Sequence, residues 1–318
     1  MYLYHFGVRE LPFNITPNTQ FFFGLPSHNE ALEVLQTALT AGEGFIKVTG
    51  EVGTGKTLVC RKLLNEMPEG FVTAYIPNPY LSPSELRLAV ASELQVELDA
   101  KSDQQKFTQA IQKRLVDIRK EGKAAVLIID EAQALPDESI EALRLMTNLE
   151  TESTKLMQVV LFGQPELNDK IAKPELRQLR QRITFSYHLS QLDTDQIYQY
   201  VNYRMSIAGN QSKVDVFPKA VCKSLFKATQ GTPRLVNIIC HKALMLAFGE
   251  GKFQVSKTHI KLAINDTEAA DNNVTRSWYA WAIPAVGCIF VCAAFLLYQA
   301  EPDFFYREII SMVSRIGQ

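Results

Sequence analysis

The sequence predicts an α/β molecule. A three-layer core built on a parallel sheet is followed by a small all-helical domain and then a C-terminal transmembrane helix. Three observations carry this. The octapeptide Gly50-Glu51-Val52-Gly53-Thr54-Gly55-Lys56-Thr57 fits the Walker A pattern G-x-x-x-x-G-K-[ST], set between a short apolar strand and a helical pattern. Up to about residue 190, apolar runs alternate with helix-spaced segments, the mark of strands covered on both faces by helices. From Trp278 to Tyr298 the chain carries no charge, long enough to cross about 30 Å of hydrocarbon as a helix.

The 318 residues are 47% hydrophobic and 21% charged, with a formal net charge of −1. That composition supports a real core and gives no global basic excess of the kind nucleic-acid binding advertises. The five cysteines (60, 222, 240, 288 and 292) form no C-x-x-C pair. They read as small core or lipid-facing residues rather than a disulfide framework or zinc site, in a reducing compartment.

Taken in order, residues 1–26 are rich in aromatics and proline and suit an extended segment packed on a surface. Ser27-His28-Asn29-Glu30 reads as a capping box opening a helix through Ala31, Leu32, Leu35 and Leu39, which makes His28 a first-turn surface residue. Phe45–Thr49 is the strand before the glycine-rich loop, and Leu58–Leu64 continues the helix after it. A second strand is expected at 71–76. Helices follow at 82–94, with Pro83 in the first turn, and at 103–120, with Phe107, Ile111, Leu115 and Ile118 at helical spacing. The basic residues of the latter (Lys113, Arg114, Arg119, Lys120) and Lys123 read as a solvated face mixed with Asp117 and Glu121. Apolar runs at 124–129, 156–162 and 183–189 complete the strands.

Beyond Asp193 four helices are expected, at 194–208, 218–230, 233–248 and 256–265, with no convincing strand. The domain plan is therefore 1–190 for the nucleotide-binding α/β domain with its N-terminal segment and 191–265 for a helical lid. A polar linker (266–277), the span (278–298) and a short tail (299–318) complete it. Trp278, Tyr279, Trp281 and Tyr298 suit interfacial belts. The tail has the pattern of a membrane-surface helix. Lys257, Lys261 and Arg276 before the span, against Arg307 and Arg315 after it, give only a thin charge bias for orientation.

The chemistry follows from spacing. The loop glycines let backbone N–H groups of residues 50–58 (Gly50, Glu51, Val52, Gly53, Thr54, Gly55, Lys56, Thr57, Leu58) turn inward on a phosphate chain. Lys56 reaches the outer phosphates, and the Thr57 hydroxyl is a ligand for Mg²⁺. Ala125–Ile129 ends in Asp130-Glu131, a Walker B pattern: Asp130 for Mg²⁺, Glu131 to orient and deprotonate a water. Val159–Gly163 delivers Gln164 at the position of a γ-phosphate sensor. Three arginines (177, 180 and 182) precede the last strand, and Arg182 is the first choice for a finger acting on a neighbouring subunit. Gly231-Thr232-Pro233-Arg234 fixes Arg234 at a helix start, where it can reach back over the nucleotide.

These motifs, in this order and spacing, resemble the AAA+ ATPases over residues 1 to about 265. More narrowly, Phe6-Gly7, Pro12-Phe13, Thr16-Pro17-Asn18, Phe21-Phe22-Phe23, His28-x-Glu30-Ala31-Leu32 and Phe162-Gly163-Gln164-Pro165-Glu166-Leu167 resemble the GspA/ExeA group of secretion and pilus ATPases. Gln164 departs from the Asn, Ser or Thr common at that position. The resemblance implies ATP and Mg²⁺ as ligands, ring-type self-association with Arg182 completing the neighbour's site, and Phe13 beside the adenine. It implies an inner-membrane location with the bulk of the chain cytoplasmic, and pilus or secretion components as partners. The periplasmic peptidoglycan-binding domain of ExeA-type proteins is not expected here, as in the members serving a mannose-sensitive haemagglutinin (MSHA) type IV pilus. Two other classes share the core motifs: DNA-transaction ATPases, disfavoured by the near-zero charge and the apolar span, and nucleotide-gated scaffolds that bind without turnover.

Overall fold

The computed structural model describes residues 2–96, 104–147, 155–211, 214–268 and 270. The chain divides into two compact units, 1–263 and 264–318, and apart from the last two residues of its final helix the features below belong to the first. The expected span at 278–298 and tail at 299–318, with most of the expected linker, lie outside the described residues. Among the described residues no helix is long and apolar enough to cross a membrane.

A five-stranded parallel sheet runs in the order β2-β3-β4-β1-β5, with β1 at Phe45–Gly50, β2 at Phe71–Ile76, β3 at Ala124–Ile129, β4 at Met157–Gly163 and β5 at Ile183–Leu189. Strand side chains alternate between faces, and here both faces are apolar, as a sheet covered on both sides demands. Leu127, Ile129, Val159 and Leu161 join one buried cluster; Val126, Ile128, Val160 and Phe162 join another. The periodicity of the expected 103–120 helix is realised: Phe107, Ile111, Leu115 and Ile118 are buried. β5 departs from a uniformly buried run. It is an edge strand, and Thr184, Phe185, Ser186 and His188 are exposed.

The helices are α1 Tyr2–His5, α2 Pro26–Thr40, α3 Lys56–Asn65, α4 Pro83–Glu93, α5 Gln104–Lys120, α6 Asp137–Met146, α7 Glu166–Ala172, α8 Arg177–Arg182, α9 Thr194–Ile207, α10 Lys219–Thr229, α11 Pro233–Gly249 and α12 Lys257–Asn265. α2 and α3 contribute to the second cluster, α4, α5 and α6 to the first. α9 to α12 form the helical lid. Two starts show the local rules at work. Ser82 and Glu85 close a capping box on α4, and Asp193 with Gln196 closes one on α9.

The capping box expected at Ser27–Glu30 does not form. Pro26, with its fixed φ and no N–H to waste, takes the first position of α2, so the helix begins earlier and Leu25 caps it without a side-chain bond. Glu30 instead accepts a hydrogen bond from the Tyr187 hydroxyl at 2.7 Å. His28, expected at the surface, is 3% exposed. The basic face of α5 is solvated and paired, through Arg114–Glu121, Lys120–Asp117 and Lys123–Glu121.

The N-terminal segment is mostly irregular and is held by the lid. Tyr2 Oη lies 2.8 Å from His241 Nδ1, and the Arg9 N–H donates to the Ala208 carbonyl. Tyr203 Oη donates to the Phe22 carbonyl at 3.0 Å. Gly231 locks the lid to the end of β5. Its φ is +77°, and a Cβ there would sit 2.0 Å from the Leu192 carbonyl oxygen, so only glycine fits. The Leu192 N–H donates to the Gly231 carbonyl at 2.9 Å.

Candidate active site

A cleft opens where β1 and β3 end, with the α3 N-terminus on one side and the α11 N-terminus on the other. It is lined by Val52, Gly53, Gly55, Lys56, Thr57, Leu58, Glu131, Gln164 and Arg234, and further along by Asn14–Asn18, Phe23, Leu25, His28, Tyr200, Arg204, Pro233 and Asn237. Gly50, Glu51 and Thr54 shape the loop from behind. Thr54 is fully buried, and its hydroxyl and Lys56 Nζ both donate to the Glu51 carbonyl; Lys56 Nζ also donates to the Gly50 carbonyl at 2.8 Å. Gly53 and Gly55 take φ of +82° and +100°, conformations that turn the loop back on itself.

Gly53 has a second reason to be glycine. The Arg234 N–H donates to its carbonyl at 3.3 Å, and an added Cβ would meet Arg234 Cβ at 2.8 Å. The glycine-rich loop and the lid therefore touch, backbone to helix start, and Arg234 is delivered into the cleft.

Burial pushes the Lys56 ammonium pKa down, opposed by the carboxylates of Glu131, Asp130 and Glu51. Asp130 is 2% exposed. Burial holds its pKa above the ordinary carboxylate range, against hydrogen bonds from Thr57 and the Glu131 N–H. The Thr57 hydroxyl donates to Asp130 Oδ2 at 2.7 Å. A buried carboxylate beside a hydroxyl is a hard-oxygen donor set whose charge calls for a cation. It fits Mg²⁺ completed by phosphate oxygens and water.

Glu131 adopts φ +52°, left-handed for a non-glycine residue, which aims its side chain into the cleft. Its Oε2 accepts from Gln133 Nε2 at 2.6 Å and Gln164 Nε2 at 3.2 Å, while Gln133 Oε1 accepts from the Gln164 N–H at 3.0 Å. Gln133 thus ties the ends of β3 and β4 together around the carboxylate. Sequence reasoning missed it; the available signal was a glutamine two residues after the acidic pair. His28 was missed too. Its Nε2 donates to the Thr54 carbonyl at 2.9 Å, bracing the loop from beneath, and burial lowers its pKa.

Two expected residues stand elsewhere. Phe13, expected beside the base, is 2% exposed and packs edge-on against Phe217, with ring centroids 5.5 Å apart. It borders a different cavity, with Leu11, Ile238 and His241. The wall of the cleft is formed by the next residues, Asn14–Asn18. Arg182 ends α8 and lines a separate pocket with Gly44, Phe45, Lys155 and Thr184, at the start of β1 and β5. It lies at the opposite end of the sheet from its own chain's cleft. Arg177 and Arg180 are exposed on the same helix.

The parallel sheet, the Walker A loop, the acidic pair ending β3 and the helical lid define an AAA+ P-loop NTPase fold. Residues 39–171 match a family model described as an AAA domain. The chain is related to general secretion pathway protein A of Aeromonas hydrophila: the two are 38% identical over 313 residues, 98% of this chain and 56% of the relative, so the chain spans about half that protein's length.

Among solved structures, the ORC2 protein of Aeropyrum pernix in ADPNP–ADP complexes matches with a TM-score of 0.59 at 14% identity, over 80% of this chain and 72% of that one. CDC6P of Pyrobaculum aerophilum matches with a TM-score of 0.59 at 18% identity, over 77% and 69%. The RuvB Holliday junction branch migration motor of Thermotoga maritima matches with a TM-score of 0.51 at 17% identity, over 77% and 70%. These likenesses establish the fold alone.

Proposed function

We propose that the chain is an ATP hydrolase that works at the bacterial inner membrane. It is anchored there by a single pass at 278–298 with the bulk of the chain cytoplasmic, and it assists assembly of a type IV pilus or secretion machine. The observation that carries the hydrolase reading is the convergence of Lys56, Thr57, Asp130, Glu131, Gln164 and Arg234 on one cleft.

The loop amides and Lys56 hold the phosphate chain. Thr57 and Asp130 would hold Mg²⁺, which would supply charge neutralisation to the phosphates. Glu131 takes a proton from a water as its oxygen bonds to the γ-phosphorus and the bond to the β-γ bridging oxygen breaks, leaving ADP and phosphate. Gln133 and Gln164 hold the Glu131 carboxylate by one oxygen and leave the other for the water. Arg234 brings positive charge from the lid, and Arg182, at the other end of the sheet from its own cleft, serves a neighbour in a ring.

The process is supported by the relationship to general secretion pathway protein A. The pilus assignment rests on the resemblance to MshM of the MSHA pilus system, and the anchor on the charge-free stretch after Arg276. Full-length protein in detergent should hydrolyse ATP, and Lys56→Ala should abolish that turnover. Equal turnover by the variant would refute the site. A reporter fused after Gln318 should be found outside the cytoplasm.

A further inference from the structure

At the far end of the cleft three lid side chains form a one-way hydrogen-bond chain. Arg204 on α9 is 6% exposed and donates Nε–H to the Pro12 carbonyl at 2.5 Å, Nη2–H to the Asn14 carbonyl at 3.3 Å and Nη1–H to Tyr200 Oη at 2.8 Å. The guanidinium has no acceptor, so the Tyr200 oxygen receives that hydrogen and its own proton goes onward. It goes to Asn237 Oδ1, at 3.0 Å.

The amide of Asn237 is thereby oriented. Its oxygen faces Tyr200 and its Nδ2 faces away, the assignment following from the network. Asn237 is 6% exposed and lines the cleft, and its side chain makes no other hydrogen bond among the described residues. An NH₂ group that lines a cleft and has no protein acceptor is available to donate to a ligand that enters the cleft.

Its place says what that is. The first turn of α11 touches the phosphate loop through Arg234 and Gly53. Asn237 lies three residues on, about 4.5 Å further along the helix axis, which moves it from the phosphates to the nucleoside. Ile15, Pro17, Leu25 and Pro233 give the cleft apolar walls suited to a base. A donor-only amide there matches an acceptor on the base edge, and the ring nitrogens of a purine are such acceptors.

We infer that Asn237, held donor-first by the Arg204–Tyr200 relay, is a specificity-determining residue that donates to a ring nitrogen of the purine of the bound nucleoside triphosphate. This rests on the ATPase reading above.

The test is equilibrium binding of ATP and of 1-deaza-, 3-deaza- and 7-deaza-ATP to the full-length chain, with Asn237→Ala and Tyr200→Phe beside it. One deaza analogue should bind the natural sequence about three- to tenfold more weakly than ATP, the worth of one hydrogen bond. Asn237→Ala should bind that analogue and ATP alike. Tyr200→Phe, which keeps the ring but frees the amide to turn, should shrink the difference.

ATP binding with no deaza penalty overturns the inference and leaves the ATPase reading standing; so does a penalty that persists in Asn237→Ala. A penalty for 2′-deoxy- or 3′-deoxy-ATP that Asn237→Ala removes puts the contact on the sugar and overturns the base assignment. Failure of the natural sequence to bind any of these nucleotides overturns both readings.

Discussion

The two ends of the cleft are built in opposite ways. The phosphate end comes from one contiguous octapeptide and the two residues that follow β3, and its key bonds run within that octapeptide and from it to Asp130. The end proposed for the nucleoside comes from an irregular N-terminal segment and two lid helices, joined across more than 180 residues of chain by Arg204 to Pro12 and Asn14. Local backbone geometry suffices to aim amides at phosphates. A wall for a flat base has to be assembled by tertiary bonds, so on the proposed reading binding and folding share the same residues.

That difference predicts how each end fails. Lys56→Ala should weaken ATP binding by about 10- to 100-fold, the worth of charge-assisted hydrogen bonds, while lowering stability by less than about 1 kcal/mol. Isothermal titration and urea unfolding would show both. A fold as damaged as the binding would blur the distinction between the two ends.

Gly231→Ala should do the reverse. A Cβ 2.0 Å from the Leu192 carbonyl at φ +77° forces the lid off the end of β5. Stability should fall by about 2–4 kcal/mol, read from the urea midpoint, with nucleotide affinity falling as well.

Arg204→Met leaves the Pro12 and Asn14 carbonyls without their donor. It should cost about 2–3 kcal/mol and raise KM for ATP, while kcat at saturation stays near that of the natural sequence, because nothing at the γ-phosphate has moved. A fall in kcat alone would contradict the division.

The smallest effect is expected at His28, the brace beneath the loop. Burial lowers its pKa, so the unfolded chain binds the proton more readily. Its stabilising contribution is complete above the unfolded value of about 6.5 and is lost as pH falls through and below it. His28→Gln should flatten that acid limb in a stability–pH profile, by comparison with the natural sequence, and raise KM about three- to tenfold.

The same division governs what could be read from the sequence. Gly50–Thr57, Asp130-Glu131 and Gly231–Arg234 are legible because spacing along one strand–turn–helix dictates where each side chain goes. The strands and the four lid helices were legible by periodicity, to within a residue or two. The rest depended on partners distant in the chain. Ser27–Glu30 carries the letters of a capping box, but Pro26 claims the helix start and turns His28 inward. Phe13 has the aromatic ring a base would stack on, yet the lid offers it Phe217 and leaves the cleft to the polar residues after it. Arg204, Tyr200 and Asn237 look like ordinary helix residues until the lid folds over the segment at Pro12–Asn18.

The most direct test of the central claim is single-turnover hydrolysis by full-length protein carrying Glu131→Gln, beside the natural sequence. The account predicts that the variant binds ATP as well as the natural chain and hydrolyses it about 10²- to 10⁴-fold more slowly, since the amide keeps the hydrogen bonding of the site but takes no proton. Equal rates for the two would contradict it.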